Sequence, residues 1–241
     1  MNLCIERYSA VGPWGGPAGL PGWLAAGECR PIQPLPPLPN VVGFASSPFI
    51  NLTWHTMADC LRGGHADPAG PIRLGIVLAS VLGDLVTADR ASRSVAAGEV
   101  PVPMLFYQSV PVSVLGRVSI DFAATGPLLC LSGGPELAEA AFECAETMLS
   151  EDVDAVLIGY AEAGQDQWRV EASASVARLW NRPLVPDWDC AISMLVRPGH
   201  SGLRMERAGC PAGLPRPFAD FATVASQSRC SNWLDGQGGE P

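Results

Sequence analysis

Apolar runs and helical repeats alternate along the chain in the order expected of an α/β fold. Short apolar runs rich in β-branched residues predict buried strands. Segments in which apolar residues recur every three or four positions predict helices that pack on the sheet. The predicted strands lie at 3–11, 73–80, 128–132, 155–159 and 190–196, and the predicted helices lie at 49–62, 82–97, 112–122 and from 135 onward.

The stretch 117–162 carries a complete strand–turn–helix–strand unit. Gly126-Pro127 ends a helix, an apolar strand follows, and Ser132 opens a Gly-Gly turn before a helix that is predicted to begin at Pro135. In α/β folds, a turn at the carboxyl end of a strand is where ligands and nucleophiles are placed. This turn has no cysteine and no G-x-S-x-G spacing, so it carries no recognisable nucleophile.

Three other segments have weaker patterns. The proline-rich segment 12–40 is predicted to be extended and to wrap over the surface. A connector before the last strand carries three tryptophans that are predicted to cap the sheet edge: Trp168, Trp180 and Trp188. We expect residues 1–198 to form one lobe. Residues 199–241 are expected to be an irregular extension with an apolar island at 217–224 and about ten disordered residues at its end.

The composition excludes several classes of protein. A chain of 241 residues, nearly half of them apolar, can bury a single large core. Its net charge is −9, and its fifteen cationic residues are all arginines without a basic cluster, which argues against a nucleic-acid-binding protein. Without lysine there is no Schiff-base chemistry and no G-x-x-x-x-G-K-(S/T) phosphate loop, so LSGG at 131–134 is not the signature of an ABC-type ATPase.

The eight cysteines are widely spaced, without a C-x-x-C pair or a histidine at ligand spacing, so we expect no metal site and no cofactor. Glu6 and Arg7 interrupt the apolar region that a signal peptide requires. No window has the ~18 consecutive apolar residues of a membrane span. The protein is therefore predicted to be cytoplasmic, with reduced thiols.

Cys130 and Ser132 are the candidate nucleophiles nearest the turn. Cys130 lies inside the predicted strand, where burial raises the pKa of a thiol and suppresses thiolate chemistry. The alternative role of Ser132 is that of a turn residue that bonds nearby backbone N–H groups. His55 and His65 flank the first predicted helix, and both are expected to be structural or exposed.

The strongest resemblance is to the N-terminal half of β-ketoacyl synthases of the thiolase superfamily, and it is carried at 103–162 by PMLFYQSVPVSVLGRVSIDFAATGPLLCLSGGPELAEAAFECAETMLSEDVDAVLIGYAE. In that family an F-x-x-S-x-P-N-like segment and a helix ending in G-R-(I/V)-(A/S)-I lead to a Gly-Pro, a strand, the nucleophile elbow, a helix and a D-A-(V/A)-L-x-G-(G/Y)-x-E strand. The resemblance covers about residues 73–197. It implies a thiolase-like α/β fold with a mixed sheet flanked by helices, of which this chain has the N-terminal lobe only.

The family's spacing from Gly126-Pro127 places the catalytic cysteine position on Pro135. A ring nitrogen in an amide can neither attack a thioester nor accept an acyl group. The family's two catalytic histidines belong to a C-terminal half that this sequence does not contain, and His200 lies in an unrelated Pro-Gly context. The resemblance therefore implies that the chain has no catalytic residue and is not itself a condensing enzyme.

Among ketosynthase relatives, the chain resembles a chain-length factor, the catalytically silent subunit that pairs with a ketosynthase in type II polyketide synthases, here of the aryl-polyene or highly reducing polyene kind. This implies a heterodimer, or a dimer of heterodimers, that completes the partner's acyl tunnel and meets carrier-protein-bound chains through that partner. The implied interface residues are Leu128, Leu129, Cys130, Leu131 and Ser132. The implied tunnel residues, each equally explained as core packing, are Leu82, Leu85, Val86, Leu105, Phe106, Gln108 and Val112.

Two alternatives stay open at this point. One is a thiol or serine acyl hydrolase or acyltransferase that uses Cys130 or Ser132 as its nucleophile. The other is a purely structural ketosynthase-like scaffold, which stabilises a complex without setting the length of its product.

Overall fold

The structure is a computed structural model that describes residues 3–27, 35, 37–45, 47–62, 72–99, 103–164, 167–199 and 214–227. Its centre is a five-stranded sheet. The strands are β1 (Leu3–Val11), β2 (Leu74–Ala79), β3 (Leu128–Leu131), β4 (Ala155–Glu162) and β5 (Cys190–Pro198). Their order across the sheet is β1-β5-β4-β2-β3.

The sheet is mixed, as the sequence predicts. β2 pairs in parallel with both β3 and β4, whereas β5 runs antiparallel to both β4 and β1. Every residue of β2 and β4 is buried, which accounts for their continuous apolar sequences. Val77 of β2 is the register partner of Leu129 on one side and of Ile158 on the other. β2 therefore lies between an inner strand and an edge strand.

Helices cover both faces of the sheet. α1, α6 and α8 pack on one face, and α2 and α5 pack on the other. Among the described residues the α-helices are α1 (Leu20–Ala25), α2 (Pro48–Leu61), α3 (Leu85–Ala96), α4 (Pro103–Gln108), α5 (Val112–Asp121), α6 (Leu137–Ser150), α7 (Gln167–Trp180) and α8 (Arg216–Gln227).

Two helices begin later than the sequence predicts. α3 begins at Leu85, not at Leu82, because Gly83 has a φ of +66°, which no helix accepts, and Asp84 caps the helix by accepting the backbone N–H of Thr87 at 3.0 Å. α6 begins at Leu137, and Pro135 belongs to the preceding turn. In both places a local capping or turn geometry determines where the helix begins.

The proline-rich segment is not only an extended surface loop, and this prediction is wrong for its described part. It contains α1, which has a proline in its first turn. A backbone N–H in the first turn has no partner within the helix, so the proline removes no helical hydrogen bond there. Trp14 and Trp23 are buried, with ring centroids 5.3 Å apart. Trp23 also packs against Trp188, and Trp14 lies 5.6 Å from Phe218 of α8. The segment therefore contributes to the core.

The predicted tryptophan-capped connector is largely the helix α7. Trp188 is buried in the core and does not cap an edge, so the prediction is wrong for this residue. Trp180 lies against Gly134 in the turn after β3. The side chain of Trp168 lies outside the described residues. A helix was missed here because the segment mixes small, polar and apolar residues without a clear apolar stripe.

The prediction of an irregular segment at 199–241 is wrong for α8. Phe218, Phe221, Ala222 and Ala225 follow a spacing of three, four and seven residues, and all four are fully buried against the sheet. The same periodicity is readable in the apolar island of the sequence. The predicted disordered C-terminus lies outside the described residues.

Candidate functional site

The loops after β2, β3 and β4 meet at one edge of the sheet, because the carboxyl ends of parallel strands lie together. The Ser132 hydroxyl, in the turn after β3, donates to the Val81 carbonyl at 2.9 Å. Glu162 ends β4, and its Oε1 accepts the Ser80 hydroxyl at 3.2 Å and the backbone N–H of Val81. The ends of β3 and β4, which flank β2 in the sheet, therefore hold the loop after β2 from both sides.

Pro135 is buried in the turn between β3 and α6. Its ring offers no thiol or hydroxyl at the place where a strand–turn–helix unit positions a nucleophile. Trp180 covers the preceding residue, since a Cβ atom on Gly134 would lie 2.6 Å from the indole ring. The turn therefore has neither a nucleophile nor space beside Gly134 for a larger side chain.

The two candidate nucleophiles are not activated. Burial raises the pKa of Cys130 to about 11, so its thiol is protonated at neutral pH. Ser132 is exposed and donates its hydrogen bond to a carbonyl, not to a base. The ring Nε2 of His55 lies 2.9 Å from the Pro39 carbonyl, and His65 and His200 lie outside the described residues. In the part of the chain that the structure describes, neither Cys130 nor Ser132 is hydrogen-bonded to a basic side chain.

Two buried ionisable residues near the turn were not predicted from the sequence. Arg169 of α7 donates to Asp189 at 2.8 Å and to the carbonyls of Gly164, Pro186 and Trp188. These hydrogen bonds fix the position of the segment before β5. A single arginine in a helix gives no sequence signal for such a role.

Glu162 is the second of these residues. Burial raises the pKa of its carboxyl to about 7, although the Val81 N–H, Arg169 and the Ser80 hydroxyl all favour the charged form.

The predicted tunnel residues fall into three groups. Leu105 and Gln108 line an open, largely apolar pocket. Gln108 is buried, and its amide accepts the Ala45 N–H at 2.7 Å and donates to the Gly43 carbonyl at 2.8 Å. The pocket has a volume of about 340 Å³, and its walls are Gly43, Phe44, Ala45, Met104, Leu105 and Gln108. The loop that supplies Phe44 was missed, because it lies between prolines and has no periodic pattern.

The second group is half-buried around the loop after β2. Leu82 lies in that loop, and Leu85 and Val86 open α3. Val86 packs against Gly164, whose Cβ position would be 2.9 Å from the valine Cγ2. The third group lies on the surface, where Phe106 is 69% exposed and Val112 is 37% exposed. In the isolated chain these last two side chains face solvent.

Five exposed large apolar side chains lie close together in sequence, on α4, in the turn after it and at the start of α5. We call this surface the α4 patch, and its residues are Met104, Phe106, Tyr107, Val110 and Val112. Contiguous exposed apolar surface marks interaction sites in soluble proteins.

Among the described residues, the predicted interface strand β3 is the last strand of the sheet and pairs only with β2. All four of its residues are half-buried. An edge strand presents unpaired backbone N–H and C=O groups along its free side.

Among the described residues, no cluster of three or more His, Cys, Asp or Glu side chains could hold a metal ion. No described helix is long and apolar enough to cross a membrane.

Comparison of the whole fold with solved structures decides the fold family. The chain is similar to the structure of a ketosynthase (ApeO) in complex with its chain length factor (ApeC) from Xenorhabdus doucetiae, with 20% identity and a TM-score of 0.65 over 83% of this chain and 80% of the matched chain. The chain has the ketosynthase fold. This confirms the predicted thiolase-like α/β class, with a mixed sheet flanked by helices.

Two further structures with the ketosynthase fold are similar. The ishigamide ketosynthase/chain length factor matches at 18% identity and a TM-score of 0.62, over 85% of this chain and 64% of that chain. A type II polyketide synthase acyl-carrier protein in complex with its ketosynthase bound to the hexaketide matches at 12% identity and a TM-score of 0.59. This chain spans 62% of the length of the chain matched there. No family model and no curated protein matches the sequence.

Proposed function

We propose that the protein is a non-catalytic chain-length factor that forms a heterodimer with a ketosynthase. In this role it completes the acyl tunnel of the partner during iterative malonyl condensation in polyketide biosynthesis. The observation that carries the proposal is Pro135 in the turn between β3 and α6, at the position to which the resemblance assigns the family's catalytic cysteine. Two of the similar structures are named for a ketosynthase together with a chain length factor, which supports this proposal.

The chemistry of condensation requires a partner. A ketosynthase must first take up the acyl chain as a thioester on a cysteine, and a proline has no atom that can accept it. Cys130 cannot substitute for that cysteine, because its thiol is protonated at neutral pH and lies in a strand, not on the turn. The nucleophile and the base of the proposed complex therefore come from the ketosynthase subunit.

Two surfaces support the proposed interface. The free edge of β3 can accept a strand from a second chain by backbone hydrogen bonding. The α4 patch supplies apolar side chains that a partner would remove from water, which is favourable by roughly 25 cal/mol per Å². We propose that residues 128–132 and the α4 patch lie in one interface with the ketosynthase.

The proposed tunnel wall combines the three groups of residues described above. Leu105 and Gln108 belong to a preformed pocket, and Leu82 lies in the loop after β2, with Leu85 and Val86 in the helix that follows. Phe106 and Val112 would become enclosed when the partner binds. An apolar wall of this kind suits a growing hydrocarbon chain, because a chain end that contacts a bulky side chain stops advancing. Leu105 is the residue whose size we expect to affect product length most directly.

The test of binding is whether a neighbouring gene encodes a full-length ketosynthase and whether that ketosynthase co-purifies with this chain. We expect the pair to co-purify. Phe106→Asp should weaken binding at least about tenfold, because a charge would be buried in the interface. The matched control is Val95→Asp, at an apolar position that is 60% exposed near the end of α3, which should leave binding unchanged. A chain that stays a monomer and binds no ketosynthase contradicts the proposal.

The test of tunnel function is the product-length distribution of the co-expressed pair. Leu105→Trp should shorten the main product and Leu105→Ala should lengthen it, since the substitutions fill and enlarge the pocket. An unchanged distribution with intact binding would favour the purely structural scaffold. An acyl adduct on Cys130 or Ser132 after incubation with a thioester analogue would favour the hydrolase or acyltransferase.

A further inference from the structure

We propose that Glu162 is a positioning residue that holds the loop at 80–83 against the end of β4 and thereby sets the shape of the adjoining tunnel wall. The effect on product length rests on the proposed function. The holding of the loop is a property of the chain itself and is tested separately.

The geometry of Glu162 is that of a clamp. Its side chain is 1% exposed at the last position of β4. One carboxyl oxygen accepts both the Ser80 hydroxyl at 3.2 Å and the backbone N–H of Val81. Two consecutive residues of the loop are therefore bonded to one side chain from a neighbouring strand. Hydrogen bonds to an ionised acceptor are about twice as strong as neutral ones.

Further hydrogen bonds within the loop and to β3 also restrict the movement of the loop. The Ser80 hydroxyl also accepts the Gly83 N–H at 2.8 Å, which closes the loop on itself. The Ser132 hydroxyl holds the Val81 carbonyl from the side of β3. Asp84 then starts α3 by capping Thr87. A change at Glu162 consequently reaches the loop residue Leu82 and the start of α3.

Those next residues are the ones proposed for the tunnel wall. Leu82 belongs to the clamped loop, and Leu85 and Val86 form the first turn of α3. Val86 also packs against Gly164, two residues beyond Glu162, so the wall meets β4 at a second point. A displacement of this loop of about 1 Å would alter the position of all three side chains relative to an acyl chain, and misplacements of that size change function measurably.

Packing alone does not explain an acid at this position. Burial opposes ionisation of the carboxyl, as its raised pKa shows, so an apolar side chain would be accommodated at lower free energy if no loop donors had to be bonded. The donors from Ser80 and Val81 supply the reason for an oxygen acceptor, and the length of the glutamate side chain allows it to reach them from β4.

The first test measures hydrogen exchange at the Val81 amide in Glu162→Gln, at about pH 8, where the wild-type carboxyl is mostly ionised. Replacing a charged acceptor by a neutral one of the same shape should speed exchange by at least about tenfold. The matched control is Glu143→Gln on the exposed face of α6, which should leave the Val81 rate unchanged. If the Val81 rate is the same in wild type and Glu162→Gln, Glu162 is not a clamp.

The second test measures product lengths made by the ketosynthase complex that contains Glu162→Gln. We expect the main product to lose share severalfold to neighbouring lengths while binding to the ketosynthase stays at the wild-type level. Faster exchange with an unchanged product distribution would overturn the assignment of the loop to the tunnel. If Glu162→Gln does not fold, the exposed Ser132→Ala releases the same loop from the β3 side and should give smaller changes in both measurements.

The two tests separate this inference from the proposed function. Exchange at Val81 is measured on the full chain, within the complex if it forms and without the partner if it does not. Absence of a ketosynthase complex would overturn the proposed function and leave the exchange result to decide the clamp.

Discussion

β2 has two parallel neighbours, β3 and β4. Both have apolar sequences, but they differ in length, burial and position in the sheet. β4 has eight residues, all of them buried between β2 and β5. β3 has four residues, all of them half-buried, and within the described part of the chain it has a neighbour on one side only. Both sequences are those of inner strands, yet β3 lies at the edge. Because an apolar edge strand invites pairing with another chain, this mismatch is the physical reason to expect a partner at β3.

The largest effect that tests this comparison comes from a matched pair of truncations. Ile158 and Leu129 are both register partners of Val77, on opposite sides of β2. Ile158→Ala removes a fully buried side chain and should lower the free energy of unfolding by about 2–5 kcal/mol. Leu129→Ala should cost about 1 kcal/mol in the isolated chain, because its side chain is only partly buried. Urea denaturation monitored by tryptophan fluorescence measures both.

The same pair distinguishes an interface strand from an ordinary edge. In complex with a ketosynthase the cost of Leu129→Ala should rise toward that of Ile158→Ala, because the partner would complete its burial. Equal costs in the isolated chain would mean that β3 is already covered, and the contrast between the two strands would be lost.

The ends of the two strands differ in their response to pH. Glu162 ends β4 with a carboxyl pKa raised by burial to about 7, whereas an unfolded glutamate titrates near about 4.3. Between these values the folded chain keeps a proton that the unfolded chain has released. The free energy of unfolding should therefore decrease as pH rises from about 4.3 to about 7, by about 4 kcal/mol in all, and then level off.

Denaturation across this pH range, in wild type and in Glu162→Gln, isolates the contribution of Glu162. The glutamine variant should lack that part of the slope. Ser132→Ala, at the end of β3, should keep it. The charged neighbour Arg169 partly opposes the pKa shift, and the pKa values of Tyr160 and Cys190, which burial also raises, keep both groups neutral in this range. Identical slopes in wild type and the glutamine variant would exclude a raised pKa at Glu162.

The sequence predicts the strands of this fold well, because buried parallel strands are continuous apolar runs and need no long-range information. The contacts that these strands make with other segments are harder to predict. The order of the strands, the edge position of β3 and the burial of Trp14 and Trp23 depend on contacts between distant segments. α8 was missed although its apolar spacing is visible, because the surrounding Gly, Pro and Ser residues suggested an irregular segment.

The candidate site also has one part that the sequence predicts and another that it does not. The turn after β3 is predicted from the sequence, since turn chemistry is local, although α6 begins at Leu137 and not at Pro135. The clamp by Glu162, the pinning by Arg169 and the contribution of Phe44 to the pocket each join residues far apart in sequence. A single sequence contains no periodic signal for such pairs, so only the folded chain identifies them.

The smallest effect concerns the turn after β3, where two adjacent glycines have different surroundings. A Cβ atom at Gly134 would lie 2.6 Å from the Trp180 ring, whereas at Gly133 the nearest atom would be a Leu137 methyl at 3.6 Å. Gly134→Ala should therefore cost about 1–2 kcal/mol and Gly133→Ala should cost less than about 0.5 kcal/mol, by urea denaturation.

A double-mutant cycle attributes this cost to its cause. Trp180 is 43% exposed at the end of α7, so it can be removed without opening the core. In the Trp180→Ala background, Gly134→Ala should become nearly neutral, because the clashing ring is absent. If the cost persists there, the turn requires glycine for its backbone and Trp180 does not cover the position. The difference between the two strands would then hold for β3 itself and not for the turn after β3.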